Sequence, residues 1–208
     1  MKRELVLLGI DGSGKSTMSA MAQAYLTAKG YNVKVVPFHK WVIAGFLRDL
    51  FGKAIDTGRK DRNAPYSPPS KSFSAIIKPP IAFLDNIIFY WLNKPRKKND
   101  FVIFDRFICA TQIKFFTLGY STDWFKKLWW NFKPKNAIVF VVDIEESIRR
   151  QKSRNDPYAY TEQQLKRERE LYLGFAGKYN FPVVNTTKCN PEESFKKVQI
   201  YLDEILVS

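Results

Sequence analysis

One histidine, His39, and two cysteines, Cys109 and Cys189, are all the imidazole and thiolate ligands in this 208-residue chain. A tetrahedral zinc cage or a His-ligated centre needs three or four such residues, so neither is expected. Two cysteines also make no disulfide framework, and the expected setting is a reducing, cytoplasmic one. Acidic residues are few: 20 against 34 Lys and Arg leave a formal net charge of +14. That surplus favours polyanionic partners such as nucleotides, nucleic acid or an acidic membrane surface. Long apolar runs are absent too. The most apolar stretch, residues 81–92, is short and carries Asp85 and Asn86, whereas a membrane span takes about 18 apolar residues or more. The apolar run behind the basic N-terminus stops at Asp11, too early for the core of a signal peptide.

What is present alternates between short β-like runs and helical stretches. Residues 4–8, 32–36, 101–104, 137–142 and 181–184 read as strands, and the unbroken apolar runs 101–104 and 137–142 suit strands covered on both faces. Residues 16–29, 41–51, 72–92, 106–117 and 122–130 have helical spacing, with a break expected at Pro79–Pro80. Asp143 with Glu146, and Thr161 with Gln164, have capping-box spacing ahead of two further helices, and Pro191 opens a last one. Residues 53–71, rich in Lys, Arg and Pro, read as a basic loop. This order predicts an α/β fold in one domain, 1–208: a five-stranded, mostly parallel sheet with helices on both faces, in three layers.

The sharpest local signal is GIDGSGKST, Gly9 to Thr17. It fits G-x-x-x-x-G-K-[ST], with a buried strand running in and a helix running out. Gly12 and Gly14 let the backbone wrap a phosphate, so that the N–H groups of Asp11, Gly12, Ser13 and Gly14 can converge on it, aided by the helix N-terminus. Lys15 can reach the β- and γ-phosphates of ATP, and the Ser16 hydroxyl can ligate Mg²⁺.

Three features together resemble the thymidylate kinase family of P-loop nucleoside monophosphate kinases. The loop G-x-D-G-x-G-K-S-T is one. FVIFDRF, Phe101 to Phe107, resembles the family's D-R-Y element at a strand end. IRRQKSR, Ile148 to Arg154, lies where the family carries an arginine-bearing lid, here about residues 149–161. The order and spacing match over nearly the whole chain. The resemblance implies ATP-dependent phosphoryl transfer to a nucleoside monophosphate. It also implies roles: Asp11 on the acceptor sugar, Arg106 and Lys40 on the acceptor phosphate, Asp105 with Ser16 beside Mg²⁺, and Arg149, Arg150 and Arg154 as catalytic lid arginines. Leu8, Ala110, Lys114 and Phe115 depart from the family pattern. So does Asp85, which falls about where the family places a thymine-reading arginine. A carboxylate there suits an amino-bearing base.

Two other readings compete. A P-loop kinase of a nucleoside, sugar or other metabolite would need a base for its acceptor hydroxyl, and Asp105 is the nearest candidate. A nucleic-acid-binding NTPase would use the +14 charge and the loop 53–71, but no nucleic-acid module accompanies them. Trp124, Trp129 and Trp130 are read as core or as a dimer interface, and the chain is expected to form a homodimer and to bind no membrane.

Overall fold

The structure, a computed structural model, describes residues 3–38, 73–97, 100–120, 126–154 and 160–207. The candidate helix 41–51, the basic loop 53–71, Lys40 and Trp124 lie outside the described residues. Five strands form one sheet: β1 (Arg3–Gly9), β2 (Asn32–Pro37), β3 (Asp100–Asp105), β4 (Ala137–Val141) and β5 (Val183–Asn185). Their order is β2-β3-β1-β4-β5, and every pairing is parallel. Parallel neighbours need crossover connections. The described helices are α1 (Lys15–Ala28), α2 (Phe73–Asn93), α3 (Ile108–Thr117), α4 (Lys126–Trp130), α5 (Ile144–Ser153), α6 (Glu162–Tyr179) and α7 (Pro191–Val207).

The period of two along a strand divides the core into two layers. On central β1, Leu5 and Leu7 face one cluster with Met18, Ala22 and Leu26 of α1 and Val198, Leu202 and Ile205 of α7. Val6 and Leu8 face the other, with Phe83 of α2, Ile113 of α3, Trp129 of α4 and Leu165 and Phe175 of α6. Trp129 is fully buried, and its indole N–H donates to the Ile108 carbonyl at 2.8 Å. The core reading of this residue is the observed one. Among the described residues, no helix is long and apolar enough to cross a membrane.

Two local expectations need correction. Pro79 and Pro80 lie within the continuous helix α2 instead of breaking it. Pro79 is itself buried, and Ala82, Phe83, Asp85 and Phe89 continue the buried face along the helix. That packing outweighs the lost backbone bonds. Asp143 precedes α5 but makes no side-chain cap. Its expected partner Glu146 turns to Arg149 and Arg150 instead, because guanidinium groups offer it forked N–H donors and a full opposite charge, which a backbone N–H lacks. The capping box of Thr161 and Gln164 forms as expected. A second, reciprocal pair between Asn190 and Glu193 opens α7.

Candidate nucleotide site

β1 delivers the phosphate loop to the C-terminal edge of the sheet, where ligands of open parallel sheets bind. Gly9 is required there. Its φ is 138°, and a Cβ would stand 2.2 Å from the Phe140 carbonyl oxygen of β4. Gly14 caps α1, whose first turn holds no acidic residue to offset its positive end. The Lys15 side chain is buried; its Nζ donates to the Ile10 carbonyl at 2.7 Å and to Ser13 Oγ at 3.4 Å. Burial and the nearby Arg106 charge bring its pKa down to about 8, against the pull of Asp11, Asp105 and Glu168.

The end of β3 supplies the second half. Leu7 of β1 pairs with Asp105, which sets the D-R element beside the loop. Ser16 Oγ donates to Asp105 Oδ2 at 3.4 Å, and the buried Oδ1 of Asp105 has no hydrogen-bond partner. Arg106 has a φ of 76°, a left-handed conformation uncommon outside glycine. Its N–H donates to the Leu7 carbonyl at 3.0 Å. Backbone strain of this kind, about 1–3 kcal/mol, persists only where the surroundings over-determine it.

Here the surroundings are electrostatic. The Arg106 guanidinium is ion-paired with Asp11, donates to the Tyr172 hydroxyl at 3.5 Å and lies 3.8 Å from Glu168. Burial alone would raise the Asp11 pKa, but Arg106, Lys15 and Lys114 outweigh it and bring it to about 2. For Glu168 the balance reverses, and burial lifts the carboxyl above its usual range despite Arg106. Glu168 is 1% exposed, and neither of its oxygens has a hydrogen-bond partner. One guanidinium thus stands between the buried Glu168 and the partly buried Asp11, with Lys15 close by.

α5 closes the loop from the other side. Ser147 Oγ donates to the Asp11 carbonyl at 2.6 Å, and Arg150 Nη1 donates to the Gly12 carbonyl at 3.0 Å. Gly12, at φ 79°, leaves room for this: a Cβ would come within 3.0 Å of the Ser147 carbonyl oxygen. Any other residue at position 12 would combine a strained backbone with a tight contact to α5.

The structure therefore brings Gly9, Asp11, Gly12, Ser13, Gly14, Lys15, Ser16, Thr17, Asp105, Arg106 and Arg150 to one edge. Arg149 stays on the outer face of α5, bonded to Glu146 with its side chain 73% exposed. Arg154 is the exposed cap of α5. Asp85 is buried on the inward face of α2, which packs on α3. Glu168, Ser147 and Thr186 escaped the sequence reading. Glu168 sits in the run KRERELY, which looks like a solvated face. Its spacing from Leu165 and Tyr172, i+3 and i−4, is the signal of a buried stripe.

No protein-family profile matches the chain. It does match curated sequences over nearly its whole length. It is 28% identical over 206 residues to a probable thymidylate kinase of Sulfurisphaera tokodaii, covering 96% of each chain. A probable thymidylate kinase of Methanocaldococcus jannaschii is 24% identical over 206 residues, covering 97% of this chain and 96% of the other. Among solved structures, thymidylate kinase from Ehrlichia chaffeensis superposes with a TM-score of 0.61 at 17% identity, over 97% of this chain and 98% of that one. Deoxyadenosine kinase from M. mycoides gives 0.59 at 16%, over 96% and 99%. Together with its own parallel sheet and phosphate loop, these matches over nearly the whole length make the chain a thymidylate-kinase-like P-loop kinase.

Proposed function

We propose that this protein transfers the γ-phosphoryl group of ATP to a nucleoside monophosphate. The observation that carries the reading is the juxtaposition of two anion-binding elements at the C-terminal ends of β1 and β3: the loop with Lys15, and Arg106 anchored to Asp11. The loop N–H groups, Lys15 and Thr17 hold the donor phosphates. Arg106 takes the acceptor phosphate, and Asp11 meets the acceptor sugar. Lys40, outside the described residues, serves as a second phosphate ligand, and Asp85 reads the base.

The Ser16 hydroxyl and the Asp105 carboxylate, 3.4 Å apart with Asp105 Oδ1 lacking a hydrogen bond, suit a hard, oxygen-preferring cation such as Mg²⁺. When bound, such an ion neutralises charge on the β- and γ-phosphates. The acceptor phosphate is already anionic, so no strong general base is required. Positioning and charge neutralisation by Lys15, and by Arg149 and Arg154 once the lid closes, supply the catalysis.

The exposed apolar stripe Leu84, Ile88, Trp91 and Leu92 on α2 supports a homodimer. Both cysteines are unbonded, in keeping with a reducing, cytoplasmic setting. A panel assay of ADP release tests the function, with nucleoside monophosphates, nucleosides and a polynucleotide as candidate acceptors. Monophosphates should stimulate release. Stimulation by nucleosides alone would move the acceptor to a hydroxyl, and stimulation by the polynucleotide would reinstate an NTPase.

A further inference from the structure

Three consecutive carbonyls of the phosphate loop are held from outside it. Ser147 Oγ donates to the Asp11 carbonyl at 2.6 Å, Arg150 Nη1 to the Gly12 carbonyl at 3.0 Å, and Thr186 Oγ1 to the Ser13 carbonyl at 3.2 Å. The three donors are themselves connected. Arg150 Nη2 donates to the Thr186 carbonyl at 2.9 Å, and Nη1 also reaches Thr186 Oγ1 at 3.4 Å. Gln151 Nε2 donates to Ser147 Oγ at 3.0 Å. The Thr186 hydroxyl has a single proton, shared between Ser13 and the Val141 carbonyl at 3.3 Å. Its backbone N–H donates to that same Val141 carbonyl at 2.9 Å, which fixes Thr186 at the end of the sheet.

A trans peptide unit is planar, so its C=O and the next residue's N–H point in opposite directions. Drawing the carbonyls of Asp11, Gly12 and Ser13 outwards turns the N–H groups of Gly12, Ser13 and Gly14 inwards. The Ser13 N–H donates to the Ile10 carbonyl at 3.3 Å, the same oxygen that accepts from Lys15 Nζ at 2.7 Å. Successive inward N–H groups are what an anion-binding nest requires.

We propose that Ser147, Arg150 and Thr186 are positioning residues that preorganise the phosphate cradle by clamping its outward carbonyls, and that Arg150 works in this way instead of touching the transferring phosphoryl group. All three Arg150 nitrogens are engaged, Nε with Glu146 at 2.7 Å and the other two with Gly12 and Thr186. Moving the guanidinium onto a phosphate would give up these bonds, with a single Nη2 N–H left uncommitted, whereas its neighbour Arg149 projects into solvent. The inference deepens the proposed function, since it takes residues 9–17 as the donor-phosphate site.

Two measurements on R150M, R150K, S147A and T186V test it: calorimetric binding of ADP without acceptor, and millisecond-resolved amide exchange of the ligand-free protein. Each lost carbonyl bond should weaken ADP binding by about tenfold, the worth of one charge-assisted or well-aligned hydrogen bond. Amide exchange over residues 12–14 should accelerate while β1 and β4 stay protected. R150K, able to keep one carbonyl bond, should fall between wild type and R150M. At saturating ATP, kcat should change less than the ADP Kd. An unchanged ADP Kd and unchanged exchange, with kcat for R150M down a hundredfold or more, would overturn the proposal and place Arg150 on the transition state. Should wild type bind no ADP, the kinase reading fails, and the exchange measurement alone still decides the clamp. The near-isosteric T186V and the small change S147A serve if R150M does not fold.

Discussion

Arg106 and Asp11, 95 positions apart in sequence, form an ion pair that bridges the phosphate loop to the end of β3. The same guanidinium lies 3.8 Å from the buried Glu168. This one cation therefore ties together the β1 end, β3 and α6 at the edge where the proposed donor and acceptor sites adjoin. Its left-handed backbone is the local cost of aiming the side chain there.

Removing that cation should have a stability consequence distinct from its proposed part in acceptor binding. Arg106→Ala leaves the buried Glu168 and the partly buried Asp11 without this counter-charge and should destabilise the protein by up to about 3–5 kcal/mol. Adding Glu168→Gln should restore part of that stability without restoring use of the acceptor. Urea midpoints of the single and double variants check the first half, and acceptor titration checks the second. Lost ATP affinity with acceptor affinity intact would mean that the two sites are reversed.

Asp11 should make the fold acid-sensitive. Its pKa in the folded protein, about 2, lies below its ordinary value of 3.8. The ionised form is favoured by folding, so its contribution is fully present above about pH 5 and disappears as pH falls towards 2. Asp11→Asn lacks this contribution at every pH. The difference in unfolding free energy between wild type and Asp11→Asn should therefore shrink between pH 5 and pH 2, as followed by denaturant titration.

Lys15 should make ligand binding pH-sensitive in the opposite direction. Its pKa is held down to about 8, so the free protein has lost much of this charge by pH 9. Phosphate oxygens favour the charged form and raise the pKa on binding. ADP binding at pH 9 should take up about one proton, and binding at pH 7 should take up almost none at Lys15. Calorimetry in buffers of different ionisation enthalpy reads this number directly. The absence of uptake at pH 9 would detach Lys15 from the phosphates.

The parallel sheet and the phosphate loop were legible in the sequence because both are local signals. Strands such as residues 137–141 are unbroken apolar runs, and the loop has fixed spacing. The outer contacts of the loop were not legible, because they join Asp11 to Ser147 and Ser13 to Thr186 across 136 and 173 positions. Glu146 misled for a related reason. Its spacing from Asp143 suits a cap, but two arginines within a turn on its other side compete better and hold its carboxyl near 2. The prolines of α2 misled because intrinsic propensity gives way to the burial of Phe83 and Phe89.

Asp85 offers a test of acceptor choice. Its carboxylate is buried on α2. Facing an exocyclic amino group it would accept a charge-assisted bond, whereas facing a carbonyl it would set two acceptors together. CMP or AMP should therefore compete with or outperform dTMP as acceptor. Asp85→Asn, which can donate, should shift kcat/KM towards dTMP by about tenfold or more. An unchanged ratio would show that Asp85 does not read the base.

The most direct test of the central claim follows the γ-phosphoryl group itself. Wild type and Lys15→Ala are incubated with Mg²⁺, γ-labelled ATP and a nucleoside monophosphate, and the label is located by chromatography. Transfer to a nucleoside diphosphate by wild type, with loss of about a thousandfold or more in the folded Lys15→Ala variant, is the predicted result. Label released as free phosphate regardless of acceptor, or equal transfer by the variant, would contradict it.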